Sequence, residues 1–395
     1  ALVAAAADVR GVVPSLREPP QDRAGWPGDP TGDVVLPDGL TVGPRSVDGA
    51  LRTVALERDG TTRWTAPPQV DTAGRGSACS AASDPALVLC FVPGEPGVAA
   101  PTTDAELGGT SDRLVVLGTA DGAVVAEHDL GSGGIGWAVL GDDVVIARRV
   151  GSEARLSRTD VLGAEVWTRA VPLPAWVLAR HLRLTVRDDL VVLTGPAAAV
   201  VDPDGAVLGT WTAPGERRLS VDVQTSSVGF AVWTTPEVGT WFTRTGAAGA
   251  RLVGVPLRPA VDDRSAPQVV LLQDGWTLRA LDVVSGELWQ RRVPQSAPAR
   301  LDGVVVLDEG EVLTAVDVAS GAELWSRPVG PCWDPGAVVT DGVRLAVPAD
   351  DARCEQVTAL GLHDGAEVWR AVVPPVASDA ASPAAPDALR TGARS

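Results

Sequence analysis

Short runs of Val and Leu recur along the chain, each led by Asp with Gly or another turn residue: PDGLTV at 37, SDPALVL at 83, DDVVI at 142, DDLVV at 188, DGVVVL at 302 and DGVRL at 341. Two weaker copies, TSSVGFAVW at 225 and RSAPQVVLL at 264, complete the set. Each run follows another short apolar run, and no period of 3.6 is sustained. The pattern therefore predicts hairpins closed by Asp-Gly-type turns, with helix in the minority.

A second element follows each of these hairpins: a strand, a turn, then often Gly-x-x-x-Trp. The full copies are ALERDGTTRW, RTDVLGAEVW, ALDVVSGELW, AVDVASGAELW and ALGLHDGAEVW, ending at Trp64, Trp167, Trp289, Trp325 and Trp369. Degenerate copies are VLGTADGAVVAEH (116–128), VVDPDGAVLGTW (200–211, with its Trp two positions late) and TRTGAAGARLV (243–253). Two hairpins per unit, repeated eight times at a period of about 40 residues, predict an all-β fold: an eight-bladed β-propeller with four antiparallel strands per blade. A blade cannot bury its faces alone, so the five Trp residues are expected to dock each blade on a neighbour, their N–H groups meeting backbone acceptors. A stacking surface for a sugar or flat cofactor is the rival reading.

The units ALDVVSGELW, AVDVASGAELW and ALGLHDGAEVW resemble the PQQ-like repeat of the eight-bladed quinoprotein and BamB-like propellers, and the resemblance covers roughly residues 30–375. It implies the architecture and leaves the chemistry open, because the repeat builds the blade. Quinoprotein dehydrogenases of this kind hold their cofactor beneath a disulfide of adjacent cysteines, with Ca²⁺ on Glu, Asn and Asp. This chain has no adjacent Cys pair, no Asn, and no recognisable copy of the catalytic Asp segment. The expectation is therefore no enzyme, no cofactor and no metal site.

Residues 1–29 read as a linker, either following a membrane anchor or signal segment or left over without structure; the apolar run at 1–7 is too short to cross a bilayer. Residues 30–375 read as the propeller. The Pro/Ala/Ser-rich stretch from Pro374, with 376–395 set apart as a tail, cannot bury a core and is expected to be disordered.

Net charge refines the picture. At −17, with every cation an Arg or His and no Arg stripe, the chain lacks the electrostatic footprint for nucleic acid or for an anionic lipid surface. Cys79 and Cys90 flank the turn Ser83-Asp84-Pro85, and Cys332 and Cys354 bracket the last blade at one end. Two disulfides are expected, and with them an oxidising, extracytoplasmic location. A metal site is the weaker alternative, since there is no Cys-x-x-Cys and His128, His181 and His363 are scattered.

Gly131–Gly136 spells GxGxxG, but the segment continues as a hairpin instead of entering a helix, so it reads as a turn. The acidic pairs Asp142/Asp143, Asp188/Asp189, Asp262/Asp263 and Asp350/Asp351 read as solvated turns. The longest insertion, 93–112, carries Glu95, Asp104 and Glu106 and joins the second and third strands of its blade. It is expected on the same rim as the disulfides, as an interaction loop or as a surface loop without a partner. The functional expectation is a monomeric, exported protein-interaction scaffold at the cell envelope, touching the membrane only through an N-terminal anchor. The alternatives are a ligand-binding or sensor domain using the central channel, and a PQQ-dependent oxidoreductase.

Overall fold

The computed structural model describes residues 34–372 apart from 37, 48–49, 67–77, 83, 93–111, 132–133, 215–219, 293, 295, 331–337 and 349–355. These residues form eight sheets, each built on four antiparallel strands in sequence order, and one of the eight carries a fifth strand. The sheets are taken as blades one to eight. The seventh consists of Ser296–Leu301, Val304–Asp308, Val312–Asp317 and Glu323–Pro328, and the eighth of Val339–Thr340, Arg344–Pro348, Gln356–Gly361 and Glu367–Val372. The predicted hairpins fall at these places: Val304–Asp308 is the run of DGVVVL, and Glu323–Pro328 carries Trp325.

Burial grades across each blade. Val304–Asp308, a second strand, is buried throughout, whereas in the fourth strand Glu323–Pro328 only Trp325 is buried. The core therefore lies between blades. Val304, Val306, Leu313 and Trp325 of blade seven pack with Leu345, Val347, Leu360 and Leu362 of blade eight in one such layer.

A register shift recurs where the third strand meets the fourth, at Ala55/Leu56, Arg158/Thr159, Ala280/Leu281, Ala315/Val316 and Ala359/Leu360. In each case the residue before the shift pairs with the repeat Trp: Ala55 with Trp64, Arg158 with Trp167, Ala280 with Trp289, Ala315 with Trp325, and Ala359 with Trp369. A bulge adds local twist and re-aims the side chain beside it, here the docking ring.

The weak repeat copy at 264 departs from the expected hairpin. Blade six opens with Val255–Pro256, and the connection to its second strand, Val269–Asp274, carries a further strand, Val261–Asp262. That strand pairs in parallel with Ser296–Leu301, giving blade seven a fifth strand where the repeat predicted four. A buried ion pair explains why it leaves its own blade: Arg300, 5% exposed, donates to Asp262 through Nε at 2.9 Å and through Nη2, and its Nη1 donates to the Val269 carbonyl at 2.8 Å.

Candidate interaction surface

Four of the five repeat tryptophans are buried and reach into the next blade. Trp64 Nε1 donates to the Thr119 carbonyl at 2.8 Å, Trp167 to Pro203 at 2.9 Å, Trp289 to Val318 at 2.8 Å and Trp325 to Leu362 at 2.7 Å. Each indole lies over a turn glycine of that blade, respectively Gly122, Gly205, Gly321 and Gly365, all with positive φ. At Gly365 a Cβ would stand 2.7 Å from the Trp325 ring, so only glycine fits both the backbone and the approach.

Trp369 behaves differently. It is half-buried and packs with Val339, Ala346, Val357 and Ala371 of its own blade. Gly60, the matching turn glycine of blade one, has open space above it. The first and eighth blades each have all four strands, so neither lends one to the other.

Cys79 and Cys90 are partners across the first two strands of blade two and form a disulfide. Cys332 and Cys354 lie outside the described residues, as do Glu95, Asp104 and Glu106 of the insertion. Among the described residues no three His, Cys, Asp or Glu side chains are grouped to hold a metal ion, and no helix is long and apolar enough to cross a membrane.

The antiparallel order puts all first-to-second and third-to-fourth turns on one face, and all second-to-third turns on the other. On the first face, a network ties blades four to eight. Arg264, with φ +62°, reaches from the blade-six connection to Asp188 of blade four at 2.6 Å. Asp263 Oδ2 accepts from the Asp302 backbone N–H at 2.7 Å, and Asp302 is joined in turn to His363 of blade eight at 2.9 Å. Asp188 is not the solvated turn residue its DDLVV setting predicted. Its side chain is 4% exposed and its carbonyl accepts from Arg244. Arg264 shields it, a contact between blades that a repeat pattern does not encode.

On the opposite face stands Trp276, in the turn Gly275-Trp276 between Val269–Asp274 and Thr277–Asp282 of blade six. It is 83% exposed. The corresponding turns of blades three and five hold Gly151-Ser152 and Pro236-Glu237. Nothing in the blade therefore calls for an indole here. In blade two the second strand ends at Val92 and the third begins at Asp112, both at this same face, and the insertion 93–111 lies outside the described residues. Trp276 was not among the residues the repeat singled out; the signal available was its position outside the Gly-x-x-x-Trp register.

The sheet order and the Trp-on-glycine docking define a repeat propeller. Residues 308–388 match a family model described as "Outer membrane protein assembly factor BamB". No curated protein matches the sequence. Among solved structures, a eukaryotic initiation factor is similar at 11% identity and a TM-score of 0.55, over 86% of this chain and 87% of that one. BamB from Moraxella catarrhalis is similar at 15% identity and a TM-score of 0.39, over 86% and 87% of the two chains. The dihydro-heme d1 dehydrogenase NirN, in complex with DHE, is similar at 14% identity and a TM-score of 0.45, over 89% and 77%. At 11% identity the likeness to the initiation factor is one of fold.

Proposed function

We propose that this protein is a non-enzymatic interaction scaffold working outside the cytoplasm at the cell envelope, with its eight blades forming one ring. The observation that carries the reading is Trp276, an indole held out of a two-residue hairpin turn at 83% exposure. Leaving so large an apolar ring in water forgoes about 2–3 kcal/mol of burial, and Trp is the side chain most enriched where a few residues dominate a protein interface. The Cys79–Cys90 disulfide supports an oxidising location, and the family description supports an envelope setting.

The repeat chemistry supports the non-enzymatic half of the reading. Trp64, Trp167, Trp289 and Trp325, with their carbonyl acceptors, are consumed in holding blades together.

Photo-crosslinking in the native envelope tests the proposal. A crosslinker at position 276 should trap a defined protein partner, and one at Leu162, exposed on the opposite face, should not. Equal labelling from both positions would contradict it. Titration with PQQ and Ca²⁺ tests the enzymatic alternative: development of cofactor absorbance in stoichiometric amount would replace the scaffold reading.

A further inference from the structure

The seam between blades two and three departs from the others. In blade two the position before the register shift, held by Trp in five blades, is Ala126, paired with Val116. The docking role passes to His128, two residues on and on the same face of the strand. Its Nε2 meets the Val161 carbonyl at 2.9 Å, and a Cβ at Gly163 would stand 3.6 Å from its ring, farther than the indoles stand from their glycines. An imidazole fills less space than an indole, and a cavity of about 320 Å³ remains beside it.

The lining of that cavity carries two arginines, Arg148 and Arg155, and two carboxylates, Asp129 and Glu165, and is incompletely bonded. Arg148 and Arg155 are cross-strand partners on adjacent strands of blade three, and both line it. Like charges placed directly opposite repel unless something neutralises them. Arg148 donates to the Asp129 backbone carbonyl, while its buried Nε has no partner. Arg155 is exposed. Thr159 Oγ1, also on the lining, is buried without a partner. The same register position holds Leu56, Leu281, Val316 and Leu360 in four other blades, so this polar group is particular to the seam. Asp129 and Glu165 are the opposing charges on the lining.

We propose that this cavity binds a small oxyanion, carboxylate or phosphate, held between the guanidinium groups of Arg148 and Arg155 with the Thr159 hydroxyl as a further donor. An anion there would satisfy the orphaned donors and relieve the repulsion across the strand pair, and charge-assisted bonds from Arg are the strong ones.

The test is calorimetric titration of the full chain with inorganic phosphate and, separately, with succinate, at constant ionic strength set by chloride. Saturable one-site binding of either probe is expected, and the probe that binds identifies the class. Arg155→Gln, at an exposed position that leaves the fold intact, should weaken binding by at least about ten-fold. Glu165→Gln should tighten it. Absence of saturable binding by both probes, or affinity unchanged in Arg155→Gln, would overturn the site.

Discussion

Trp325 packs against Gly365 and donates its indole N–H to the Leu362 carbonyl, three residues earlier in the same turn, at 2.7 Å. One side chain thus bonds, packs and fixes the spacing between blades seven and eight. Trp325→Ala leaves a cavity in the interblade layer and removes that hydrogen bond, and should cost about 3–5 kcal/mol in chemical denaturation. Trp369→Ala, where the ring packs on its own blade and Gly60 stays open, should cost clearly less. Equal losses from the two substitutions would show that Trp369 docks on blade one after all.

The parallel strand Val261–Asp262 depends on a buried charge pair. Asp262→Ala leaves Arg300 buried without its partner and should destabilise by about 3–5 kcal/mol. Asp262→Leu combined with Arg300→Met removes both charges and should recover most of that loss in the same denaturation experiment. A single substitution without effect would mean that the connection 257–268 does not rest on this pair.

Acid sensitivity follows from the turn aspartates. The Ser320 hydroxyl and backbone N–H hold the Asp317 carboxyl below its usual range, and the Ser285 and Val284 backbone N–H groups do the same for Asp282. Because the folded-state pKa is depressed, the contribution is complete above the unfolded value and is lost as pH falls through the folded one. The thermal midpoint should therefore drop between about pH 5 and pH 2. In Asp317→Asn that drop should be shallower, and an identical pH profile would exclude the role.

The frame was legible in the sequence and the exceptions to it were not. Asp-led Val/Leu runs and Gly-x-x-x-Trp copies recur because every blade solves the same packing problem, and the strands carrying Trp64, Trp167, Trp289 and Trp325 fall where those copies stand. The Cys79–Cys90 pairing was readable because the two flank one hairpin turn. Contacts between blades carry no such periodicity. Arg264 reaches Asp188 across 76 positions of sequence, and Arg300 draws Asp262 out of its own blade. His128 looked like one of three scattered histidines, because its neighbours Val161 and Gly163 belong to another blade.

Disulfide removal tests the extracytoplasmic part of the account. Cys79 and Cys90 are separated by 11 residues, and closing a loop of that size constrains the unfolded chain by about 2–3 kcal/mol. Cys79→Ser with Cys90→Ser should lower stability by about that amount, and reducing agent should lower that of the native chain by at least as much. Free thiols at both positions in protein recovered from its source would contradict an oxidising location.

If recognition lies in what does not repeat, Trp276 carries it. Once crosslinking has supplied the partner, its affinity should be measured for the native chain and for Trp276→Ala. Exposed as it is, Trp276 can be truncated without cost to folding, so the thermal midpoint should hold while affinity falls by at least about ten-fold. Unchanged affinity would contradict the account.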